Sequence, residues 1–319
     1  MATDKTKHLS DVLDSHRMVH IESLFNKYKS KRDDVKSSLD SNYNNNSYAC
    51  MNSGSYAKHT AINIKFDLDI VLPFNKKSFT SLEEMFDSVY NFLSDKYKDE
   101  AFVRKQKVSI GIEFFGDDDG DVISIDVVPG RELNEDQYVS DKKLNLYINS
   151  TYGELAAKSY LQTNIHSQIE HIKNRNDERK IIRLLKGWKV NNNEAFKSFF
   201  LELITIKAFD TITISGSLWE RLKSVLEYIR DNVNKEGFTL IDPGNTGNDI
   251  AKTLEEFEKH QLKSKMDSML QRIEDNSDNI KLYFPINEDF HNDDEENKYK
   301  SKGGGGSFFS VPPKEERFG

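Results

Sequence analysis

The run KFDLDIVLPF, Lys65 to Phe74, places two aspartates two residues apart inside an otherwise apolar β-forming stretch. Side chains alternate along a strand, so Phe66, Leu68, Ile70 and Leu72 point one way and Asp67, Asp69 and Val71 the other. The apolar row asks for burial, while two like charges about 6–7 Å apart along the strand repel each other. Taken alone, the pair is compatible with the solvated face of an edge strand. It is equally the pattern of a cleft in which a divalent cation removes the repulsion. Mg²⁺ in particular takes one or two carboxylates together with substrate phosphates and water.

A second run, VISIDVVPG (Val122–Gly130), contains one isolated acid, Asp126, in a strongly β-forming context. It closes an expected hairpin over Lys107–Gly130, whose acid-rich turn holds Asp117, Asp118, Asp119 and Asp121. Carboxylates from two neighbouring strands can hold two metals about 3.5–4 Å apart, the clamp used in phosphoryl-type transfer. Glu113 is the alternative third ligand. Upstream, NSGSYAKHT (Asn52–Thr60) supplies Gly54 for close backbone approach and Ser55 for a hydroxyl and an amide beside a phosphate. The Walker spacing of a P-loop is absent.

Helical spacing predicts one or two opening helices over Leu9–Tyr43, a helix over Ser81–Tyr97 with Ser81 and Glu84 as its capping pair, and a mostly helical text after Tyr160. The fold class expected is α+β, a mixed-sheet lobe followed by a helical lobe with a cleft between them. The boundaries expected are 1–150 for the catalytic lobe with its N-terminal helices, 151–285 for the helical lobe, and 286–319 for an acidic, Gly-rich flexible tail. The chain has 45 basic and 53 acidic residues, which argues against a general nucleic-acid coat. No apolar run reaches membrane-spanning length, and no signal-peptide pattern opens the chain, so it reads as cytoplasmic. The single cysteine, Cys50, provides neither a disulfide framework nor a thiolate metal site.

These motifs together resemble the DNA polymerase β-like nucleotidyltransferases. The narrower resemblance is to the branch of 2′-5′ oligoadenylate synthetases, cyclic GMP–AMP synthase and the bacterial cGAS/DncV-like nucleotidyltransferases (CD-NTases) of CBASS anti-phage defence. The matching residues are Gly54-Ser55, Lys58-His59-Thr60, Asp67-Leu68-Asp69 and Asp126. They continue with RLLKGWK (Arg183–Lys189), SFFLELITIKAF (Ser198–Phe209) and IDPGNTGNDIA (Ile241–Ala251). The likeness runs from Gly54 to Ala251, with His59 standing where a glycine is usual.

The resemblance implies a polymerase β-like lobe and a helical lobe that completes the nucleotide site. Asp67, Asp69 and Asp126 would hold two Mg²⁺ ions, or Mn²⁺. Gly54, Ser55, Lys58, Arg183, Lys186 and Ser198 would bind the triphosphate of ATP or another NTP, with Phe199 stacking on the base. The product implied is a cyclic di- or trinucleotide second messenger, made with release of pyrophosphate, that switches on a separate effector. The C-terminal Gly319 would be the conjugation site for an E1/E2-like companion enzyme. The readings left open beside this one are a template-independent RNA or tRNA nucleotidyltransferase, an NMP-transferring toxin, and a noncatalytic nucleotide sensor.

Overall fold

The computed structural model describes residues 2–149 and 160–290. Two helices open the chain, α1 (Lys5–Ser15) and α2 (Glu22–Asn42). Among the described residues, seven strands then form one mixed sheet. They are β1 (Met51–Ser53), β2 (Leu68–Phe74), β3 (Ala101–Lys105), β4 (Ile110–Phe114), β5 (Ile123–Glu132), β6 (Leu144–Tyr147) and β7 (Tyr160–Thr163). Their order is β1-β2-β5-β4-β3, with β6 and β7 continuing from the far end of β5. The remaining elements of this region are the short α3 (Gly54–Ala57) and α5 (Tyr138–Asp141), and α4 (Leu82–Lys96).

Strand β2 is flanked by β1 and by β5, so it is an interior strand and not the edge that a solvated Asp-x-Asp would occupy. Its two apolar rows enter different cores. Leu68, Ile70 and Leu72 pack with Tyr28, Val35 and Leu39 of α2 and with Met85, Phe86, Val89 and Leu93 of α4. Val71 packs with Val128, Leu144 and Leu146 on the opposite face. The strand begins at Leu68, later than the run from Ala61 suggests, because Ala61–Asp67 turns back through an Ile62–Lys65 bridge. The expected hairpin is present, with Phe114 opposite Ile123. Its turn acids are held by Lys27, whose ammonium lies 2.7 Å from Asp117, 2.7 Å from Asp119 and 2.6 Å from Asp121. Ser81 caps α4 by accepting from the Glu84 amide at 3.0 Å.

The second lobe is built from α6 (Ile165–Ile172), α7 (Asn176–Asn191), α8 (Ser198–Thr211), α9 (Leu218–Asn232), the ribbon β8 (Ile241–Asp242) and β9 (Asn245–Asp249), α10 (Glu256–Asp275) and α11 (Ile280–Tyr283). Its core joins Leu184, Trp188, Phe200, Leu201, Leu226 and Met266. Here the expected boundaries need correction. Leu9 and Val12 of α1 are fully part of this helical core, whereas α2 packs on the sheet, so the N-terminal helices divide between the lobes. Likewise β7 belongs to the sheet, by pairing with β6.

The stretch read as the start of a tail is also packed as far as residue 290. Ile286 joins the helical core, the Asn287 amide donates to Ser15 Oγ at 3.0 Å, and Phe290 stacks on His20. The rest of that stretch, with Gly319, lies outside the described residues. Cys50 is buried beneath α2, and burial together with the nearby Asp40 pushes its thiol well above the ordinary range, which disfavours the thiolate. Among the described residues no helix is long and apolar enough to cross a membrane.

Candidate active site

The parallel pairing of β2 with β5 sets Asp69 directly beside Asp126. Asp67 lies one residue before the first β2 position, and its carboxylate joins theirs. The three residues each present a ligand oxygen, and all these atoms lie within 4.8 Å of one another. Asp69 is 7% exposed and Asp126 is fully buried. Glu113 is not part of this group; it faces Ser124 across β4–β5, and Arg104 approaches it at 3.8 Å. Three acids this close in a largely dehydrated place repel strongly, and an all-oxygen donor set suits a hard divalent cation such as Mg²⁺ or Mn²⁺. The residues present therefore fit the metal site expected from the sequence.

Gly54 is required where it stands. Its φ is +66°, and a Cβ built on it would lie 1.6 Å from Asp69 Oδ2. The missing side chain lets the turn after β1 pass directly over the carboxylate. Ser55 follows it at the cleft wall. His59 also has positive φ, +58°, the backbone region glycine adopts most readily, which explains why a glycine is usual there. His59 is exposed and takes no part in the cleft.

The cleft runs between the lobes. Gly54, Ser55, Lys58, Thr60, Lys65, Asp67 and Asp69 line it from the sheet lobe, and Gln168, Lys186, Lys189, Ser198, Phe199 and Glu202 from the helices. Ser198 and Phe199 open α8, and Lys186 projects from α7. The Lys186 ammonium donates to Thr60 Oγ1 at 2.9 Å and to the Thr60 carbonyl at 3.1 Å, tying α7 to the turn that carries Ser55. Burial pulls its pKa well below the ordinary lysine range, to about 8; Lys58 and Lys189 act in the same direction, and Glu202 and Asp67 oppose them.

Two expected phosphate ligands are placed differently from the sequence reading. The Lys58 ammonium is 2.8 Å from Glu202 Oε1, with both side chains buried, and lies 4.4 Å from the centre of the Phe199 ring. It lines the cleft, but its charge is already committed across the two lobes. Arg183 does not line the cleft. It sits one turn earlier on α7, where burial and then the nearby Arg17 and Arg179 lower its pKa, with Asp14 opposing. Three residues apart on α7, Arg183 and Lys186 share a helix face, but only Lys186 lines the cleft.

The sequence reading gave no site role to Thr60, which it named only within the motif, nor to Lys65, Gln168, Lys189 or Glu202. Glu202 was visible as the glutamate of LEL, an acid in a helix whose neighbours are otherwise apolar, and that mismatch was the available signal. Gln168 is held by Asp242, which accepts from Gln168 Nε2 at 2.9 Å and from the Gly244 amide at 2.7 Å. The Asp-Pro-Gly segment thus braces α6 against the cleft wall.

Comparison with known proteins gives a consistent picture. The chain is 28% identical over 206 residues to a protein named CBASS oligonucleotide cyclase CdnC, from Escherichia coli (strain KTE188), and spans 59% of that relative's length. In fold it is similar to the solved E. coli MS115-1 CdnC with ATP, at TM-score 0.65 and 19% identity, covering 84% of this chain and 91% of that one. The same CdnC has also been solved as a CdnC:HORMA-deltaN complex. The Bradyrhizobium diazoefficiens CD-NTase CdnG in complex with GTP gives TM-score 0.65 at 12% identity, covering 89% of this chain and 96% of that one. No family model matches the sequence. The expected α+β architecture, a mixed-sheet lobe with a helical lobe, is the fold of these neighbours.

Proposed function

We propose, from the premise that this chain is related to the CD-NTases of CBASS and has their fold, that it is a divalent-metal-dependent nucleotidyltransferase making a cyclic di- or trinucleotide from NTPs. The observation that carries the reading is the convergence of Asp67, Asp69 and the buried Asp126, the first two lining a cleft that Ser55, Lys186 and Ser198 also line. The named relative is an oligonucleotide cyclase, and two of the fold neighbours were solved with ATP and with GTP. The complex of CdnC with HORMA-deltaN makes a protein partner of that kind the first to test for this chain.

Asp67, Asp69 and Asp126 would hold two Mg²⁺ ions. When bound, the ions would supply charge neutralisation for the attacking and leaving oxygens as a ribose hydroxyl displaces pyrophosphate from the α-phosphorus. The chain's own groups do the positioning. Ser55 and Ser198 donate to the triphosphate from opposite walls, and Lys186 turns its ammonium from Thr60 toward the phosphates. Phe199 offers a ring for the base beside Lys58. Asp126 accepts the proton of the ribose hydroxyl that attacks, and pyrophosphate leaves along the Lys186 side. Most of the rate comes from orientation and fixed charge rather than from covalent chemistry on the protein.

Replacing both Asp67 and Asp69 by Asn should abolish product formation from the four NTPs with Mg²⁺ or Mn²⁺ while leaving the far-UV circular dichroism unchanged. Product analysis by mass spectrometry reads base identity and ring size in the same experiment. Turnover by the double variant at the wild-type rate would sink the assignment.

Lys186 makes a second test. Between about pH 8 and its unfolded value near 10.4, the empty folded protein holds this lysine neutral while the unfolded chain holds it charged. Stability from this group therefore rises with pH across that window and is lost as pH falls to about 8. A bound triphosphate favours the charged form, so nucleotide binding at pH 8.5 should take up about three quarters of a proton. Calorimetry in two buffers of different ionisation enthalpy would register it. The uptake should shrink toward zero at pH 7 and vanish in Lys186→Met.

A further inference from the structure

We propose that Gln106 is the positioning residue for Asp126, fixing the orientation in which that carboxylate meets a cation; the proposal rests on the metal-triad reading above. Gln106 lies in the tight connection between β3 and β4, far in sequence from every acid of the triad except Asp126. It is 7% exposed, and Ser109 and Asp126 are both fully buried. The Gln106 amide donates to the Ser109 carbonyl at 2.8 Å, and Ser109 Oγ donates to Gln106 Oε1 at 2.8 Å. Asn149 Nδ2 reaches the Gln106 carbonyl at 3.4 Å. With its oxygen taken by Ser109, the carboxamide has one way to face, and its Nε2 donates to Asp126 Oδ1 at 3.2 Å.

The strand beside it is shaped to permit this contact. Gly111 is the residue opposite Asp126 in the β4–β5 register. A Cβ there would fall 2.4 Å from Gln106 Nε2 and 3.3 Å from Asp126 Oδ1. Any other residue would therefore wedge the amide away from the carboxylate. Q-K-V-S-I-G (Gln106–Gly111) is thus a small device in which the serine aims the amide, the amide aims the acid, and the glycine leaves the room.

The choice of an amide has chemical content. A lysine at this place would neutralise the acid, as Lys27 does for Asp117, Asp119 and Asp121, and would compete with a metal for it. A glutamate would add a fourth like charge. A carboxamide donates one hydrogen bond and adds no charge, so it arrests rotation of Asp126 about the Cβ–Cγ bond without placing a cation beside it. Partners of this kind behind metal-binding carboxylates typically change metal affinity by about 10–100-fold when removed.

The test is a Mn²⁺ titration followed by electron paramagnetic resonance of the free ion, which requires no turnover. Wild type, Gln106→Leu, Ser109→Ala and Asp126→Asn are compared as full-length chains, with thermal unfolding measured alongside. Gln106→Leu keeps the bulk and removes the donor, and should weaken Mn²⁺ binding by at least about tenfold. Ser109→Ala frees the carboxamide to flip, should give a smaller loss of the same sign, and serves if the leucine variant does not fold. At saturating Mn²⁺ the Gln106→Leu enzyme should recover most of its kcat. Mn²⁺ affinity within threefold of wild type in a folded Gln106 variant, while Asp126→Asn loses the ion, overturns the positioning role alone. Wild-type affinity in Asp126→Asn removes the triad reading and this proposal with it.

Discussion

Gly54→Ala should lose product formation by more than about 100-fold while the protein still folds. The added methyl would sit 1.6 Å from Asp69 Oδ2, well inside any tolerable contact, on a backbone whose φ of +66° already disfavours a side chain. One partner must move. Asp69 belongs to an interior strand hydrogen-bonded on both sides and buried on both faces, so the turn is the part that yields. The turn carries Ser55, and its displacement separates the serine from the acids by the order of an ångström. A shift of that size is enough to cost two decades in rate. Mn²⁺ titration, nucleotide binding and circular dichroism distinguish this outcome from simple unfolding. An alanine variant within a few-fold of wild-type activity would show that the close approach of turn and carboxylate is dispensable.

Glu202→Ala should destabilise the fold by about 3–5 kcal/mol, the usual cost of stranding one member of a buried ion pair. Glu202 and Lys58 meet at 2.8 Å with side chains only 5% and 8% exposed, one from α8 and the other from the turn after α3. The alanine variant leaves the Lys58 ammonium buried with the Phe199 ring as its remaining close contact. Urea unfolding measures the loss. The double variant Lys58→Met/Glu202→Leu should recover most of it, because apolar residues of similar size replace such pairs at little cost. The same double variant decides what Lys58 does. Nucleotide affinity within about threefold of wild type makes it a tether between the lobes, whereas a loss beyond tenfold makes it the phosphate ligand that the motif suggested.

The acids were legible from sequence because a charge in a β-forming apolar run contradicts its surroundings, and strand alternation then assigns its side. Asp67, Asp69 and Asp126 could be read that way, as could the hairpin, the Ser81 cap and the helical second lobe. What could not be read depended on distant contacts. Lys58 and Glu202 are 144 positions apart, and Lys186 and Thr60 are 126 apart; no local rule pairs them. Helix spacing likewise reports that Arg183 and Lys186 share a face, but not that only Lys186 lines the cleft. Strand β1 hid in an Asn-rich connector because three residues carry no measurable alternation. Gln106 was silent because a glutamine in a turn is ordinary until the strand opposite it is known.

The division of the first two helices between the lobes has a consequence for how the molecule is made. Leu9 and Val12 emerge from the ribosome long before Leu226, Leu262 and Met266, the residues with which they share a core. The sheet and α2 can close while the second half is still being translated, but α1 cannot. Its apolar stripe must wait, uncovered, until α9 and α10 have been synthesised. A nascent chain that has released only the sheet lobe would therefore carry Leu9 and Val12 without the α9 and α10 residues they pack against. The cleft, which Ser198, Phe199 and Glu202 of α8 help to line, would be complete only once the second lobe has begun to form.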